Sequence, residues 1–135
     1  MTDLMLSWVD SANSAETPFP LNNLPYGVFS VGDGPLHCGV AIGDRIIDVT
    51  GLEAADVLRA DPDADVLDAP NWNDFMELGP TGWADYRARL QALLAADADD
   101  ATQDALTKYS VPMADATLHM PIQVMEYTDF YAGKH

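Results

Sequence analysis

The sequence predicts an α+β domain that is mainly β with short helices. Residues 26–49 contain three short apolar segments separated by glycine turns, a pattern typical of an antiparallel meander. Apolar residues recur at helical spacing over residues 82–96. At 135 residues the chain fits one domain that can bury a single core.

The first 25 residues are expected to lack a long regular element. Residues 1–17 show no sustained hydrophobic period, which predicts a flexible lead-in with a short strand or turn near residues 4–9. Pro18, Pro20 and Pro25 then exclude a helix and favour extended backbone.

The meander is predicted from residue types and turn signals. Its strands are expected at Tyr26–Val31, Leu36–Ile42 and Arg45–Val49, which are rich in aromatic and β-branched residues. Gly43-Asp44 suits a two-residue hairpin turn, because glycine takes the positive φ that tight hairpin turns require.

Short helices are predicted after the meander. Thr50 and Glu53 have the spacing of a capping box, which predicts a helix to about Arg59. Asn73 is a suitable cap for a second short helix over residues 74–78.

The longest predicted helix runs over residues 82–96. One of its faces carries an apolar stripe, interpreted as core rather than a binding groove. The stripe consists of Trp83, Tyr86, Leu90, Leu93 and Leu94. Asp99 and Asp100 are the candidate caps of a further helix to about Tyr109, and residues 117–120 are expected to form a last strand ended by Pro121.

Composition limits the function classes. The net charge of −16 argues against nucleic acid and anionic membrane surfaces as partners. A solvated acidic surface is favoured, beside a cation-attracting surface or adaptation to high salt. The single cysteine, Cys38, excludes an internal disulfide and favours a cytoplasmic setting, and no apolar run approaches membrane-spanning length.

The histidines outside the C-terminal residues are expected to be structural. His37 and Cys38 are adjacent, but one cysteine and one histidine do not make a zinc site. His119 is expected to be packed or hydrogen-bonded. The sequence contains no phosphate-binding glycine loop, nucleophile elbow or zinc-protease helix motif.

The last ten residues, 126–135, concentrate the reactive side chains. Asp129 is a hard-cation ligand type, Tyr131 can donate to an anionic substrate, and His135 can exchange protons near neutral pH. On residue types alone, a polar tail remains the alternative. Since Ca²⁺ and Mg²⁺ require six or more ligands, a site at Asp129 would need others from outside this chain.

Several segments together resemble the N-terminal region of the fumarylacetoacetase family. The resemblance covers residues 18–135, in order and in register. It is carried by Pro20–Ser30, Gly39–Asp48, Asn73–Gly79, Trp83, Leu118–Pro121 and Tyr127–Tyr131.

This resemblance implies the fold and domain organisation. The family has a small N-terminal domain built on an SH3-like β-barrel, expected here at residues 18–121. A larger catalytic domain follows, of which residues 122–135 would be the start. The expected partners are that missing C-terminal catalytic domain, a small β-diketone acid and, in the complete enzyme, a second copy in a homodimer.

The resemblance also implies a reaction, the hydrolysis of 4-fumarylacetoacetate to fumarate and acetoacetate in tyrosine catabolism. The family uses Ca²⁺ or Mg²⁺, for which Asp129 is similar to a metal ligand, while Tyr131 is similar to a substrate-binding tyrosine. The general-base histidine falls one place beyond His135, so no catalytic residue is expected in this chain. Glu126 stands where aspartate is expected.

The sequence therefore predicts the N-terminal portion of a fumarylacetoacetase that is inactive by itself. The alternative is a free-standing acidic interaction module derived from that domain, which would bind a protein partner through its barrel or tail.

Overall fold

Five antiparallel strands form a curled half-barrel sheet with helices packed against it. The computed structural model describes residues 4–122. The strands are β1 (Tyr26–Val31), β2 (His37–Ile42), β3 (Arg45–Asp48), β4 (Ser110–Pro112) and β5 (Ala116–His119). The helices are α1 (Val49–Ala54), α2 (Asn73–Met76), α3 (Gly79–Leu94) and α4 (Asp100–Lys108), with 3₁₀ turns at Asp10–Asn13 and Met113–Asp115. The sheet order is β4-β3-β2-β1-β5, which confirms a small SH3-like α+β fold.

The predicted meander is confirmed. In the β1–β2 pair, Val28 lies opposite Cys38, and in the β2–β3 pair Val40 lies opposite Ile47. These four side chains are buried, as expected where one face of a sheet covers the core. Gly43 has a φ of +56° in the β2–β3 turn, as the tight turn requires.

The sheet is extended at both edges by strands from the C-terminal part of the described chain. β5 pairs with β1, with Ser30 opposite Thr117, and confirms the predicted last strand to within one residue. β4 pairs with β3 and was not predicted, because three residues are too few for an alternating pattern to show.

The predicted capping box after the meander is wrong. Asp48 is the N-cap of α1, and its carboxylate accepts a hydrogen bond from the Gly51 backbone N–H. The hydroxyl of Thr50 instead donates to the Leu67 carbonyl, and the Glu53 carboxylate accepts from backbone N–H groups at residues 66 and 67. The helix ends at residue 54, well before the predicted end near residue 59.

Part of the segment predicted as a lead-in, residues 7–12, contacts the rest of the domain. Ser7 Oγ donates to the Leu94 carbonyl at 2.5 Å, and Trp8 Nε1 donates to the Leu93 carbonyl at 2.9 Å. Val9 and Ala12 belong to the buried core. Hydrogen bonds from side chains to the end of α3 therefore hold this segment in place, although it has no hydrophobic period. The domain boundaries at residues 17 and 121 remain predictions.

The long helices agree largely with expectation. Tyr86, Leu90 and Leu94 of α3 are fully buried, which confirms the core interpretation for most of its stripe. Of the two predicted caps of α4, Asp99 is the N-cap, its carboxylate accepting from the Thr102 N–H at 2.8 Å, and Asp100 is the first residue of the helix. Within residues 4–122, no helix is both long enough and apolar enough to span a bilayer.

Candidate functional site

The residues predicted for chemistry lie outside the described part of the chain. Asp129, Tyr131 and His135 all follow residue 122, so their predicted roles stay predictions. The described residues show where the chain leaves the domain toward them. After β5, the Pro121 carbonyl accepts a hydrogen bond from the Trp72 N–H at 3.0 Å.

An aromatic groove of about 630 Å³ lies at this exit. It is lined by Tyr26, Trp72, Phe75, Met76, Pro80, Trp83, Ala84, Arg87, Pro121 and Ile122. These residues come from β1, from α2 and the residue that precedes it, from α3 and from the chain that follows β5. The groove is therefore built where four parts of the fold meet, beside the start of the segment expected to carry chemistry.

The aromatic side chains of the groove are held in a fixed arrangement. Tyr26 and Trp72 stack with centroids 4.4 Å apart and planes 7° apart, and Phe75 meets both rings edge-on. The Trp72 indole N–H donates to the Gly27 carbonyl at 2.8 Å, which ties the ring to β1. The Trp83 indole N–H donates to the Phe75 carbonyl at 3.1 Å, which ties α3 to α2. Such offset and edge contacts stabilise the surface beyond its burial alone.

Arg87 gives the groove a positive group. Its guanidinium carbon lies 5.1 Å from the Tyr26 ring centroid, within the range of a cation–π contact. One guanidinium N–H group, at Nη2, donates to the Leu24 carbonyl at 3.3 Å. Burial raises the pKa of Tyr26, although Arg87 acts in the opposite direction. The groove is thus suited to a ligand with an apolar body and an anionic group.

Trp83 corrects the interpretation of the α3 stripe. It was grouped with the core because its position matches the helical period, but its side chain is 40% exposed and lines the groove. Residue spacing places a side chain on a helix face, but it does not show which part of that face is covered by other elements of the fold. The groove itself was not predicted. The close sequence grouping of Trp72, Phe75 and Trp83 was the available signal.

The two described histidines have structural partners. The imidazole Nδ1–H of His37 donates to the Asp48 carboxylate, whose nearer oxygen is 2.9 Å away, and Asp48 also caps α1. His119 Nε2 lies 2.8 Å from Ser30 Oγ and joins β5 to β1. Both expectations, structural for His37 and hydrogen-bonded for His119, are confirmed.

Neither histidine completes a catalytic arrangement in the part of the chain that the structure describes. Among residues 4–122, no carboxylate hydrogen-bonds the second imidazole nitrogen of His119, so the Ser30–His119 pair lacks the third member of a triad there. Residues 4–122 also contain no group of three or more His, Cys, Asp or Glu side chains that could hold a metal ion. The described residues therefore do not fit a metal centre.

Together, the sheet and the groove define an SH3-like domain that carries an aromatic surface at its exit. Residues 22–121 match the family model described as "Fumarylacetoacetase N-terminal", and the chain belongs to the fumarylacetoacetase family. The chain is 41% identical to the Caenorhabditis elegans fumarylacetoacetase over 87% of its length, and 39% identical to the Homo sapiens fumarylacetoacetase over 88%. It is 38% identical to the Bos taurus fumarylacetoacetase over 96% of its length.

The chain is short compared with these relatives. It covers 29% of the Caenorhabditis elegans and Homo sapiens proteins and 32% of the Bos taurus protein. The similarity therefore concerns the N-terminal region of a longer hydrolase family.

Proposed function

We propose that this chain is the N-terminal portion of an enzyme that hydrolyses 4-fumarylacetoacetate to fumarate and acetoacetate, a step of tyrosine catabolism. The observation that carries the proposal is the match over residues 22–121 to the N-terminal fumarylacetoacetase family model. The substrate follows from the name shared by the relatives. By itself the 135-residue chain is expected to be inactive, because the family's remaining site residues would belong to the C-terminal domain.

Within this proposal the chain supplies two binding residues. Asp129 provides one oxygen ligand to a Ca²⁺ or Mg²⁺ ion, and Tyr131 donates a hydrogen bond to the anionic substrate. Since the described residues hold no metal-binding cluster, the other ligands come from the C-terminal domain. The proposed general base is also outside this chain, one place beyond His135.

The proposed partners follow from the same assignment. They are the C-terminal catalytic domain, a small β-diketone acid and a second copy in a homodimer, with a cytoplasmic location. The net charge of −16 supports the expectation that nucleic acid and anionic membranes are not partners.

A chimera tests the proposal directly. The 135-residue chain would replace the matching N-terminal segment of the Caenorhabditis elegans fumarylacetoacetase. Hydrolysis of 4-fumarylacetoacetate would then be measured as the decrease in absorbance of this substrate. We expect hydrolysis by the chimera and none by the isolated chain. Activity of the isolated chain, or a folded chimera without activity, would contradict the proposal.

Two substitutions in the chimera test the assignment of Asp129. Asp129→Asn is expected to lower kcat by at least tenfold and to weaken Mg²⁺ binding measured by calorimetry, because a charged ligand is removed. Asp115→Asn, in the exposed 3₁₀ turn before β5, is the matched control and is expected to leave both unchanged. Equal effects of the two changes would contradict the metal role.

A further inference from the structure

The aromatic groove gathers several exposed apolar side chains in one place. Met76, Trp83 and Ile122 are 44%, 40% and 39% exposed, respectively, and all three line this groove. Exposed apolar side chains are ordinary when scattered, but a contiguous patch marks a binding surface. The groove is therefore a candidate site for a ligand with an apolar body.

The size and lining of the groove favour a small molecule as that ligand. The groove has a volume of about 630 Å³, and small-molecule sites in proteins usually have about 300–1,000 Å³. Such sites are lined mostly by apolar and aromatic side chains, with a few polar groups that fix the orientation of the ligand. Here the stacked rings of Tyr26 and Trp72 form a rigid apolar wall, on which a ligand ring can make stacked or edge contacts.

Arg87 supplies the polar group, and its surroundings favour an anionic partner. Arg89, two residues further along α3, pairs with Asp85 at 2.9 Å. Arg87 has no carboxylate within 4.0 Å among residues 4–122. One of its N–H groups donates to the Leu24 carbonyl, but a guanidinium has five such donors, so others remain for a ligand. A carboxylate can accept two of them side by side, and the contact is stronger where an aromatic ring partly desolvates the cation.

We propose that the groove is a binding site for small aromatic carboxylates, in which a short linker joins one ring system to one carboxylate. The ring lies against Trp83 and the stack of Tyr26 on Trp72, and the carboxylate accepts hydrogen bonds from the Arg87 guanidinium. This inference goes beyond the proposed function and does not rest on it.

The net charge of the chain bears on the choice of occupant. A second copy is less suitable, because each copy carries a net charge of −16 and the two copies repel each other. The same charge repels a free anion at a distance. Salt screens that repulsion over about 8 Å at physiological ionic strength, whereas the short contact with Arg87 is screened much less. Binding of the carboxylate is therefore expected at physiological salt.

Titration of the 135-residue chain with indole-3-acetate, followed by NMR at physiological salt, tests the proposal. We expect the indole N–H signals of Trp72 and Trp83 to shift, with a Kd of about 1 mM or tighter for a ligand of this size. The absence of a shift at about 10 mM indole-3-acetate would overturn the proposal. Shifts that depend on the concentration of the chain without ligand would also overturn it, because they would assign the groove to a second copy.

Two further probes separate the charge of the ligand from its ring. Indole-3-acetamide keeps the shape of indole-3-acetate but is neutral, and acetate keeps the charge but has no ring. Each is expected to bind about tenfold more weakly than indole-3-acetate, because each loses one of the two contacts. Equal affinity for the acid and its amide would overturn the proposal.

Variants of two arginines on α3 test the charged contact. Arg87→Gln is expected to weaken the binding of indole-3-acetate about tenfold and to leave that of indole-3-acetamide unchanged, since only the acid uses the guanidinium charge. Arg89→Gln is the matched control, because Arg89 pairs with Asp85 and does not line the groove, and it should leave both affinities unchanged. Unaltered amide signals of β1 and β2 show that each variant is folded. Equal weakening by the two substitutions would overturn the site, because net charge alone would then explain the binding.

Variants of Trp83 test the contact with the ring. Trp83→Ala is expected to weaken the binding of both indole probes about fivefold, whereas Val57→Ala, which truncates an equally exposed apolar side chain outside the groove, should not. Trp83→Phe keeps a ring but loses the hydrogen bond to the Phe75 carbonyl, so it should retain most of the affinity. Unchanged affinity in Trp83→Ala, or an equal loss in both Trp83 variants, would overturn the proposal. Failure here leaves the hydrolase proposal standing, because the chimera is judged by activity.

Discussion

The meander of residues 26–48 and the connection of residues 55–72 are both part of the same core, but they are held in different ways. In the meander, each strand pairs with the next one in sequence through backbone hydrogen bonds. The connection contains no helix or strand, yet Leu58, Val66 and Leu67 within it are buried. Its shape therefore has to be fixed by something other than a backbone ladder.

Two polar side chains, the buried Glu53 and the partly buried Arg59, supply that constraint. Glu53, which is 1% exposed, accepts hydrogen bonds from the backbone N–H groups of Val66 and Leu67 at 2.9 and 3.0 Å. Arg59 donates back to the Glu53 carbonyl at 3.2 Å and pairs with Asp65 at 2.6 Å. The comparison teaches that a regular pattern specifies the meander locally, whereas a few individual side chains specify the connection at long range.

The largest effect is expected at Glu53. Glu53→Ala leaves two buried backbone N–H groups without an acceptor and opens a cavity, so we expect a loss of about 4 kcal/mol in the free energy of unfolding. Urea denaturation would measure it. Glu77→Ala, at an exposed position, is the control and should change the free energy by less than about 0.5 kcal/mol. Similar midpoints for the two variants would show that the connection does not depend on this carboxylate.

A pair of glycines tests the meander. Gly43 and Gly32 both have a φ of +56°, which disfavours alanine. A Cβ at Gly43 would also lie 2.8 Å from the Ala12 backbone nitrogen, whereas one at Gly32 would meet nothing within 4 Å. We expect Gly43→Ala to cost about 3 kcal/mol and Gly32→Ala about 1 kcal/mol. Thermal unfolding of both variants measures the difference, and equal costs would mean that residues 11–12 move aside freely.

Thr50 joins the two regions and tests whether they are coupled. Its hydroxyl accepts from the Cys38 N–H of β2 and donates to the Leu67 carbonyl of the connection, both at 2.8 Å. Thr50→Val keeps the shape but removes both bonds, so we expect a loss of about 2 kcal/mol in urea denaturation. Thr50→Ser retains the hydroxyl and should lose less than half as much. A loss that is equal in both variants would show that the methyl group, not the hydroxyl, matters.

These contacts explain how far the sequence could predict the fold. β1, the glycine turns of the meander and the Asp99 cap depend on residues that are neighbours in sequence, so local sequence patterns were sufficient to predict them. Thr50 and Glu53 have capping-box spacing, but Asp48 takes the cap because the other two side chains find partners 13 to 17 residues away. Local spacing cannot show that competition.

The candidate site divides in the same way. The resemblance predicted the family correctly, because it depends on the order of short segments along the chain. The groove depends on residues from β1, α2, α3 and residues 121–122 coming together, which no single segment encodes. Because no single segment encodes the groove, the sequence did not identify Arg87 as a candidate site residue. Its role is visible only when Tyr26, far away in sequence, lies beneath its guanidinium.

The smallest effect is expected at Cys38, which links the two regions through its thiol as well as its backbone. Its Sγ donates to the Asn71 carbonyl at 3.3 Å, and burial raises the pKa of the Cys38 thiol to about 11, above the ordinary value of 9.0.

At pH 8 the thiol is largely protonated in both the folded and unfolded chains. Between about pH 9 and 11 the unfolded chain loses this proton first, so the free energy of unfolding falls as pH rises. Cys38→Ala removes this titration, and we expect its stability to fall less steeply from pH 8 to 10.5. Urea denaturation at several pH values measures both slopes. Parallel slopes would mean that the thiol ionises equally easily in the folded protein, and that the contact between β2 and the connection opens to water.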